Sequence, residues 1–489
     1  MALWHWRNTG RLADTDGKFL HSHGGHILLA EDGYYYLYGE YGEFSMTRQV
    51  GRKVSCYRSR NLMHWENCGV VLSVDTPRAA YHLTKHTNPT LQRNPGPAQE
   101  ARWAGWNDRV QVGATIQRPK VLYNPKTKRY VMWMHWEDGK GFYYAHAAVA
   151  SAKRPEGPYT YHGSFRPAGE MARDCTLFQD DDGTAYFIAA GRDNADLYIY
   201  RLTEDYMAVD ECVKCLFPDQ FREAPTLFKR NGVYFMLSSE CMGAEPNQGM
   251  YSFSRELTGR WSAQRPLGSP TTYDTQPAFV FSIDTPQGAQ YFYVGDRWNP
   301  SEFYRDARYM VLPLYFPDDT SIDMRWCDGF TFDPANGTLQ EEVRETGLSR
   351  IKSRVVESKG GYLYPAGDKV GCRKLDYREE ALFWRLEPAN EGRYYIRHEK
   401  SGLRLTYGLD GKSCFLAAAD TGYNQQYNIE VLFDGACRIL TQDGLALTVD
   451  QELPQAEMAL GLAPRREIYD PAWGCDPQAF NITTVYPND

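Results

Sequence analysis

The chain has 489 residues, a formal net charge of −8, a pI near 5.8 and a mean hydropathy of −0.58. That acidic balance, with no long basic run, excludes nucleic acid as an expected partner, and no stretch is long and apolar enough to read as a membrane span. The 14% aromatic content, with 35 Tyr and 12 Trp, suits both β-rich cores and sugar stacking.

Met1-Ala2-Leu3-Trp4-His5-Trp6-Arg7 has no apolar leader segment. The 11 cysteines are odd in number, and Cys175, Cys241 and Cys327 fall inside predicted strands. Both features point to a cytoplasmic chain with reduced thiols; the alternative is a secreted or periplasmic protein whose signal peptide has been removed. Cys212-Val213-Lys214-Cys215 has no second pair or nearby histidines and reads as incidental.

Five hairpins follow in order. His23-Gly24-Gly25-His26-Ile27-Leu28-Leu29 turns at Asp32-Gly33 into Tyr34–Tyr38. Residues 73–115 are Pro-rich, contain Trp103 and Trp106 and lack periodicity, which predicts a lid near the site. Gln117-Arg118-Pro119-Lys120-Val121-Leu122-Tyr123 leads to Arg129-Tyr130-Val131-Met132-Trp133. Asp174-Cys175-Thr176-Leu177-Phe178 turns at Asp182-Gly183. Glu223-Ala224-Pro225-Thr226-Leu227-Phe228 turns at Asn231-Gly232, the strongest short-range hairpin signal. Gln276-Pro277-Ala278-Phe279-Val280-Phe281 leads to Gln290-Tyr291-Phe292-Tyr293-Val294.

The starting positions 23, 117, 174, 223 and 276 are separated by 94, 57, 49 and 53 residues. Strand-turn-strand repeats at periods near fifty predict an all-β chain whose first part, residues 1–350, is a five-bladed β-propeller. The innermost strands of such a fold line a central channel, so His23, Gln117, Asp174, Glu223 and Gln276 are expected to meet at one mouth. A polar residue at a strand start is ordinarily a solvated turn residue. Recurrence at one register in all five hairpins argues for a site instead. Two carboxylates in a ring of polar groups suit glycoside cleavage, in which one acid protonates the leaving oxygen.

Residues 340–356 are charged and read as a linker, and the composition changes from residue 357. Trp384, Tyr427 and Phe480 lie in related short strand patterns 43 and 53 residues apart. With Gly402-Leu403-Arg404-Leu405 echoed by Gly444-Leu445-Ala446-Leu447, residues 357–489 resemble a ricin-type β-trefoil with a degenerate Gln-x-Trp signature.

The blade-start motifs resemble glycoside hydrolase family 43, in the branch of exo-β-1,3-galactanases and related galactofuranosidases and arabinofuranosidases. The matching residues are His21-Ser22-His23-Gly24-Gly25-His26 with Gly39-Glu40, Arg118-Pro119-Lys120, Arg173-Asp174-Cys175, Glu223-Ala224-Pro225 and Gly295-Asp296-Arg297-Trp298-Asn299-Pro300. The resemblance implies inverting hydrolysis with Glu223 as general acid and Asp174 as the carboxylate that orients it and raises its pKa. It implies that Gln276 positions the attacking water, and that Glu40, Gln117, His23, Arg297, Trp298 and Asp296 contact substrate. The aspartate base usual in the wider family is replaced within His21-Ser22-His23, leaving Glu40 and Glu43 as candidates for the base. Two further departures are Gln117 in place of a glutamate and Ala244 in place of a tryptophan.

The expected activity is exo-release of terminal galactose from β-1,3-galactan or arabinogalactan-type glycans. Alternatives are β-galactofuranosidase or α-L-arabinofuranosidase activity, or non-catalytic carbohydrate binding. The expected partner is an oligosaccharide or polysaccharide substrate. No cofactor is expected, although the fold is compatible with a structural calcium or sodium ion. Strand alternation places His21 and His23 opposite His26, which argues against a histidine metal cluster. Oligomeric state, linkage and sugar ring form are left open.

Overall fold

The computed structural model describes residues 3–8, 12–41, 53–73, 75–76, 114–139, 141–243, 246–298, 307–343, 347–355, 361–373, 379–432, 436–449, 457–469 and 476–485. Most of the insertion read over 73–115 lies outside these residues, as do Glu43, Ala244 and Asn299.

The chain is all-β. Five four-stranded antiparallel sheets follow one another in sequence, each built from consecutive strands. Their first strands are His23–Leu29, Thr115–Asn124, Cys175–Gln179, Arg222–Arg230 and Gln276–Thr285. Each first strand touches the first strand of the next sheet, and the fifth touches the first, so the sheets stand around a common axis as in a β-propeller. The turn between Arg222–Arg230 and Val233–Glu240 is made by Asn231 and Gly232, both with positive φ, as a two-residue hairpin requires.

Apolar side chains fill the interfaces between neighbouring sheets. Tyr38, Val54, Ile116 and Trp136 pack between the first and second sheets. Trp133, Val149, Leu177 and Phe187 pack between the second and third. Ile188, Ile199, Leu227 and Met236 join the third and fourth. The largest cluster joins the fourth and fifth sheets to Leu37, Tyr57 and Trp65 of the first. The N-terminal strand Trp4–Arg7 pairs with Gly329–Asp333 in a separate three-stranded sheet. Asn8 beside it bonds the backbone of Val311 and Cys327.

Four of the first strands share a defect near the start of the ladder. The register slips between His23 and His26, Gln117 and Lys120, Glu223 and Thr226, and Pro277 and Phe279. In the first, second and fourth strands the residue after the site residue has positive φ: Gly24 at 57°, Arg118 at 50° and Ala224 at 53°. These are β-bulges, which bend a strand and re-aim its side chains. Pro119 and Pro225 lie within them, where the missing N–H costs no ladder bond, and Pro277 pairs with Gly295 just before its slip.

Strands from Ser349–Ser353 to Phe480–Thr484 form a separate twelve-stranded arrangement. Trp384, Tyr427 and Phe480, the repeating residues of the sequence, are completely buried in its one core. The linker expectation over 340–356 is corrected: Thr338–Glu342 pairs with Gly329–Asp333, and Ser349–Ser353 pairs with Phe480–Thr484. The charges that suggested a linker are partly those of Arg350 and Arg354, both buried. Arg350 pairs with Asp274 at 3.6 Å and Arg354 with Glu240 at 2.7 Å, both on the ring of sheets.

Candidate active site

Three of the strand-start residues, Asp174, Glu223 and Gln276, are joined in one hydrogen-bonded cluster centred on Arg118. Its side chain is buried; Nε lies 2.8 Å from Asp174 Oδ2, Nη2 donates to Gln276 Oε1 at 2.5 Å, and Nη1 donates to Pro277 O at 2.9 Å. Its backbone N donates to Glu40 Oε1 at 3.0 Å. Burial opposes the guanidinium charge, but Asp174, Asp296, Glu40 and Glu223 outweigh it and raise the Arg118 pKa. Arg118 was quoted in the sequence only as part of a motif. The signal for its role was the Pro that follows it, since a Pro inside a strand marks a bulge.

Glu223 is almost fully buried, on the strand next to Asp174. Burial first, and the Asp174 charge second, push its pKa up from 4.5 to about 8, against the lowering effects of Arg118 and of hydrogen bonds from Cys241 and Gln276. Its carboxyl is therefore protonated at neutral pH. Oε1 accepts from Gln276 Nε2 at 2.9 Å. Asp174 Oδ2 also accepts from the bulge nitrogen Ala224 N at 3.1 Å, so one carboxylate fixes both Arg118 and the backbone beside the acid.

Gln276 was expected to hold the attacking water. Its carboxamide makes four contacts: Nε2 donates to Glu223 and to Ser239 Oγ at 3.1 Å, and Oε1 accepts from Arg118 and from Trp298 Nε1 at 2.9 Å. An amide has two donors and two acceptor sites, so all are used, and flipping it would set its NH2 against the donors of Arg118 and Trp298. Gln276 thus acts directly on the carboxyl of Glu223.

The other expected residues divide. His23 and Trp298 stand side by side, with ring centroids 5.9 Å apart, and Glu40 faces His23 across the ladder. A side chain at Gly24 would collide with Glu40, because a Cβ there lies 2.7 Å from Oε1. Gln117 Oε1 lies 3.0 Å from His135 Nδ1, and His135 Nε2 is 2.9 Å from the fully buried Glu137. Neither His135 nor Glu137 was singled out from the sequence.

Asp296 and Arg297, both read as substrate contacts, bond to other parts of the protein. Asp296 is completely buried and accepts from Gly24 N at 2.9 Å, with His23 Nδ1 at 3.6 Å, so it supports the first strand. Arg297, the next residue along, points to the opposite face of its strand. Its guanidinium donates to Tyr273 O at 2.8 Å and lies 5.0 Å over the Trp326 ring.

Lys120 Nζ sits 2.6 and 2.7 Å from the carbonyl oxygens of Gly24 and Gly25, so an ammonium supplies positive charge where these carbonyls converge. Burial, then Arg118, lower its pKa to about 7. Among the described residues no group of three or more His, Cys, Asp or Glu side chains is arranged to hold a metal ion.

A protonated, buried carboxyl held by an amide beside an Arg–Asp pair is an acid poised for proton donation. Residues 121–280 match the family model of glycosyl hydrolases family 43. The chain is 32% identical to the exo-β-1,3-galactanase of Clostridium thermocellum, covering 98% of this chain and 99% of that one, with a TM-score of 0.59. The chain belongs to glycosyl hydrolase family 43.

A second family 43 structure, a β-1,3-galactosidase with galactodeoxynojirimycin, is 29% identical over 66% of this chain and 99% of its own, with a TM-score of 0.55. A β-D-galactofuranosidase of Aspergillus niger is 26% identical over 204 residues, which is 40% of this family 43 chain and 58% of the length of that relative.

Proposed function

We propose that the chain is an exo-acting, inverting glycoside hydrolase that releases terminal galactose from β-1,3-linked galactan or arabinogalactan-type glycans. The observation that carries this reading is Glu223, buried, protonated at neutral pH and oriented by Gln276 beside the Arg118–Asp174 pair. Similarity to an exo-β-1,3-galactanase over nearly the whole chain supports the choice of sugar and linkage.

In this reading Glu223 gives its proton to the glycosidic oxygen as the bond to the anomeric carbon breaks. The bonding electrons leave with that oxygen, and positive charge develops on the sugar. Water adds from the opposite face and loses a proton, for which Glu40 is the described candidate acceptor. His23, Glu40, Gln117 and Trp298 are the side chains proposed to meet substrate. We read the five sheets as the blades of a five-bladed propeller and the C-terminal strands as a ricin-like β-trefoil.

A second reading, β-galactofuranosidase activity, is favoured by the Aspergillus relative. The deciding experiment incubates the protein with β-1,3-galactan, aryl β-galactopyranosides, β-galactofuranosides, α-arabinofuranosides and β-xylosides, and identifies the sugar released. Galactose from β-1,3-galactan supports the first reading, and release from furanosides alone supports the second. Binding without release from any substrate would leave a carbohydrate-binding protein.

A further inference from the structure

The loop joining Arg129–Glu137 to His146–Ala152 in the second sheet presents two aromatic rings to solvent, Phe142 at 49% and Tyr143 at 76% exposure. Exposed loop tips are ordinarily small, polar and loosely held. Here side chains grip the backbone of four consecutive residues. Glu137 accepts from Tyr144 N at 2.9 Å and from Ala145 N at 2.8 Å. Arg166 donates to Tyr144 O at 2.9 Å and to Tyr143 O at 2.7 Å, and Arg173 donates to Phe142 O at 2.9 Å. The Tyr143 ring lies against Gly141, where a Cβ would come within 2.6 Å of Cε2. The rest of that ring is open to solvent.

The same contacts locate the loop. Phe142 is 6.0 Å, centroid to centroid, from His135, which bonds Gln117. Arg173 immediately precedes Asp174. Glu137 holds both His135 and the loop, so one buried carboxylate ties the aromatic pair to the mouth between the second and third sheets. Burying an aromatic side chain is worth about 1.5–3 kcal/mol, and this loop forgoes it at two adjacent positions while ordering its backbone.

We infer that Phe142 and Tyr143 form a stacking platform for the pyranose rings of the chain on the leaving-group side of the cleaved bond. The inference rests on the glycosidase reading above. Terminal sugar enclosed by the polar cluster leaves the rest of the oligosaccharide to exit over the rim, where a flat apolar surface meets the C–H face of a pyranose ring. Ring hydroxyls stay in water, so stacking requires no buried polar partner.

The test compares Phe142→Ala, Tyr143→Ala and the double variant on β-1,3-galactotriose and on an aryl β-galactoside, which has no sugar on the leaving side. The loss in kcat/KM on galactotriose should exceed that on the aryl galactoside by about tenfold per ring and lie mainly in KM. Tyr143→Phe, which keeps the ring face, should retain the wild-type ratio. Equal losses on both substrates, or none on galactotriose, would overturn the platform while leaving the glycosidase intact. Absence of hydrolysis by the wild type would overturn the glycosidase reading instead. Calorimetric binding of galactotriose to Glu223→Gln, with and without Tyr143→Ala, then decides the platform: weakening by about tenfold supports it, and unchanged or undetectable binding sinks it.

Discussion

The amide nitrogen of Gln276 donates to the carboxyl of Glu223 at 2.9 Å, while its oxygen accepts from Arg118. The amide therefore links the acid to the cation that holds Asp174. Removing any of these groups changes the proton affinity of Glu223 as well as its position.

Activity should depend on a protonated Glu223. With its pKa raised from 4.5 to about 8, kcat/KM should hold through neutral pH and fall as pH rises past about 8. Glu223→Gln should lower kcat on unactivated substrates by about 10²–10⁴-fold, as removal of a general acid does. A pH–rate profile unaffected by Glu223→Gln would remove the assignment of the acid.

The same shift fixes the sign of a stability effect. Between pH 4.5 and about 8 the folded state keeps the Glu223 proton that the unfolded chain has lost. Its contribution to stability therefore falls as pH rises across that window and levels off above it. Glu223→Gln should gain stability relative to wild type between pH 5 and pH 8, measured by denaturant unfolding at both values.

Gln276→Glu replaces a donor to Glu223 with a second carboxylate. The like charge and the lost hydrogen bond should both raise the Glu223 pKa, moving the alkaline limb of the pH–rate profile upward while kcat falls. A limb that stays in place would mean that Gln276 does not contact the acid in the working enzyme.

Arg354 reaches from the C-terminal strands to Glu240, between Ser239, which bonds Gln276, and Cys241, which bonds Glu223. Arg354→Met leaves Glu240 without this cation at a largely buried position, and loss of such a partner costs about 3–5 kcal/mol. Thermal unfolding should register that loss, and kcat should fall with it. Arg354→Lys should restore part of both.

Ala224 holds φ at 53° inside the bulge beside the acid. Ala224→Gly should be tolerated or mildly stabilising. Ala224→Val should destabilise by about 1–3 kcal/mol and reduce activity, because a β-branched residue resists this conformation. Paired unfolding and rate measurements on the two variants check this.

The strands and turns of this protein are written locally. Alternating or continuous apolar runs, ended by Asn231-Gly232 or Asp182-Gly183, are visible without any distant partner, and so is the common register of His23, Gln117, Asp174, Glu223 and Gln276. Trp384, Tyr427 and Phe480 of the C-terminal core were likewise legible from their spacing. Only the tertiary structure decided which side chains pair. Arg118 reaches Gln276 across 158 residues, and Arg354 reaches Glu240 across 114. Asp296 and Arg297 are neighbours in a matching motif, yet one supports Gly24 and the other lies over Trp326. Backbone propensity acts between neighbours in sequence. The pairing of a charge, and hence its pKa and chemistry, is set by the groups that ring closure brings within a few ångströms of it.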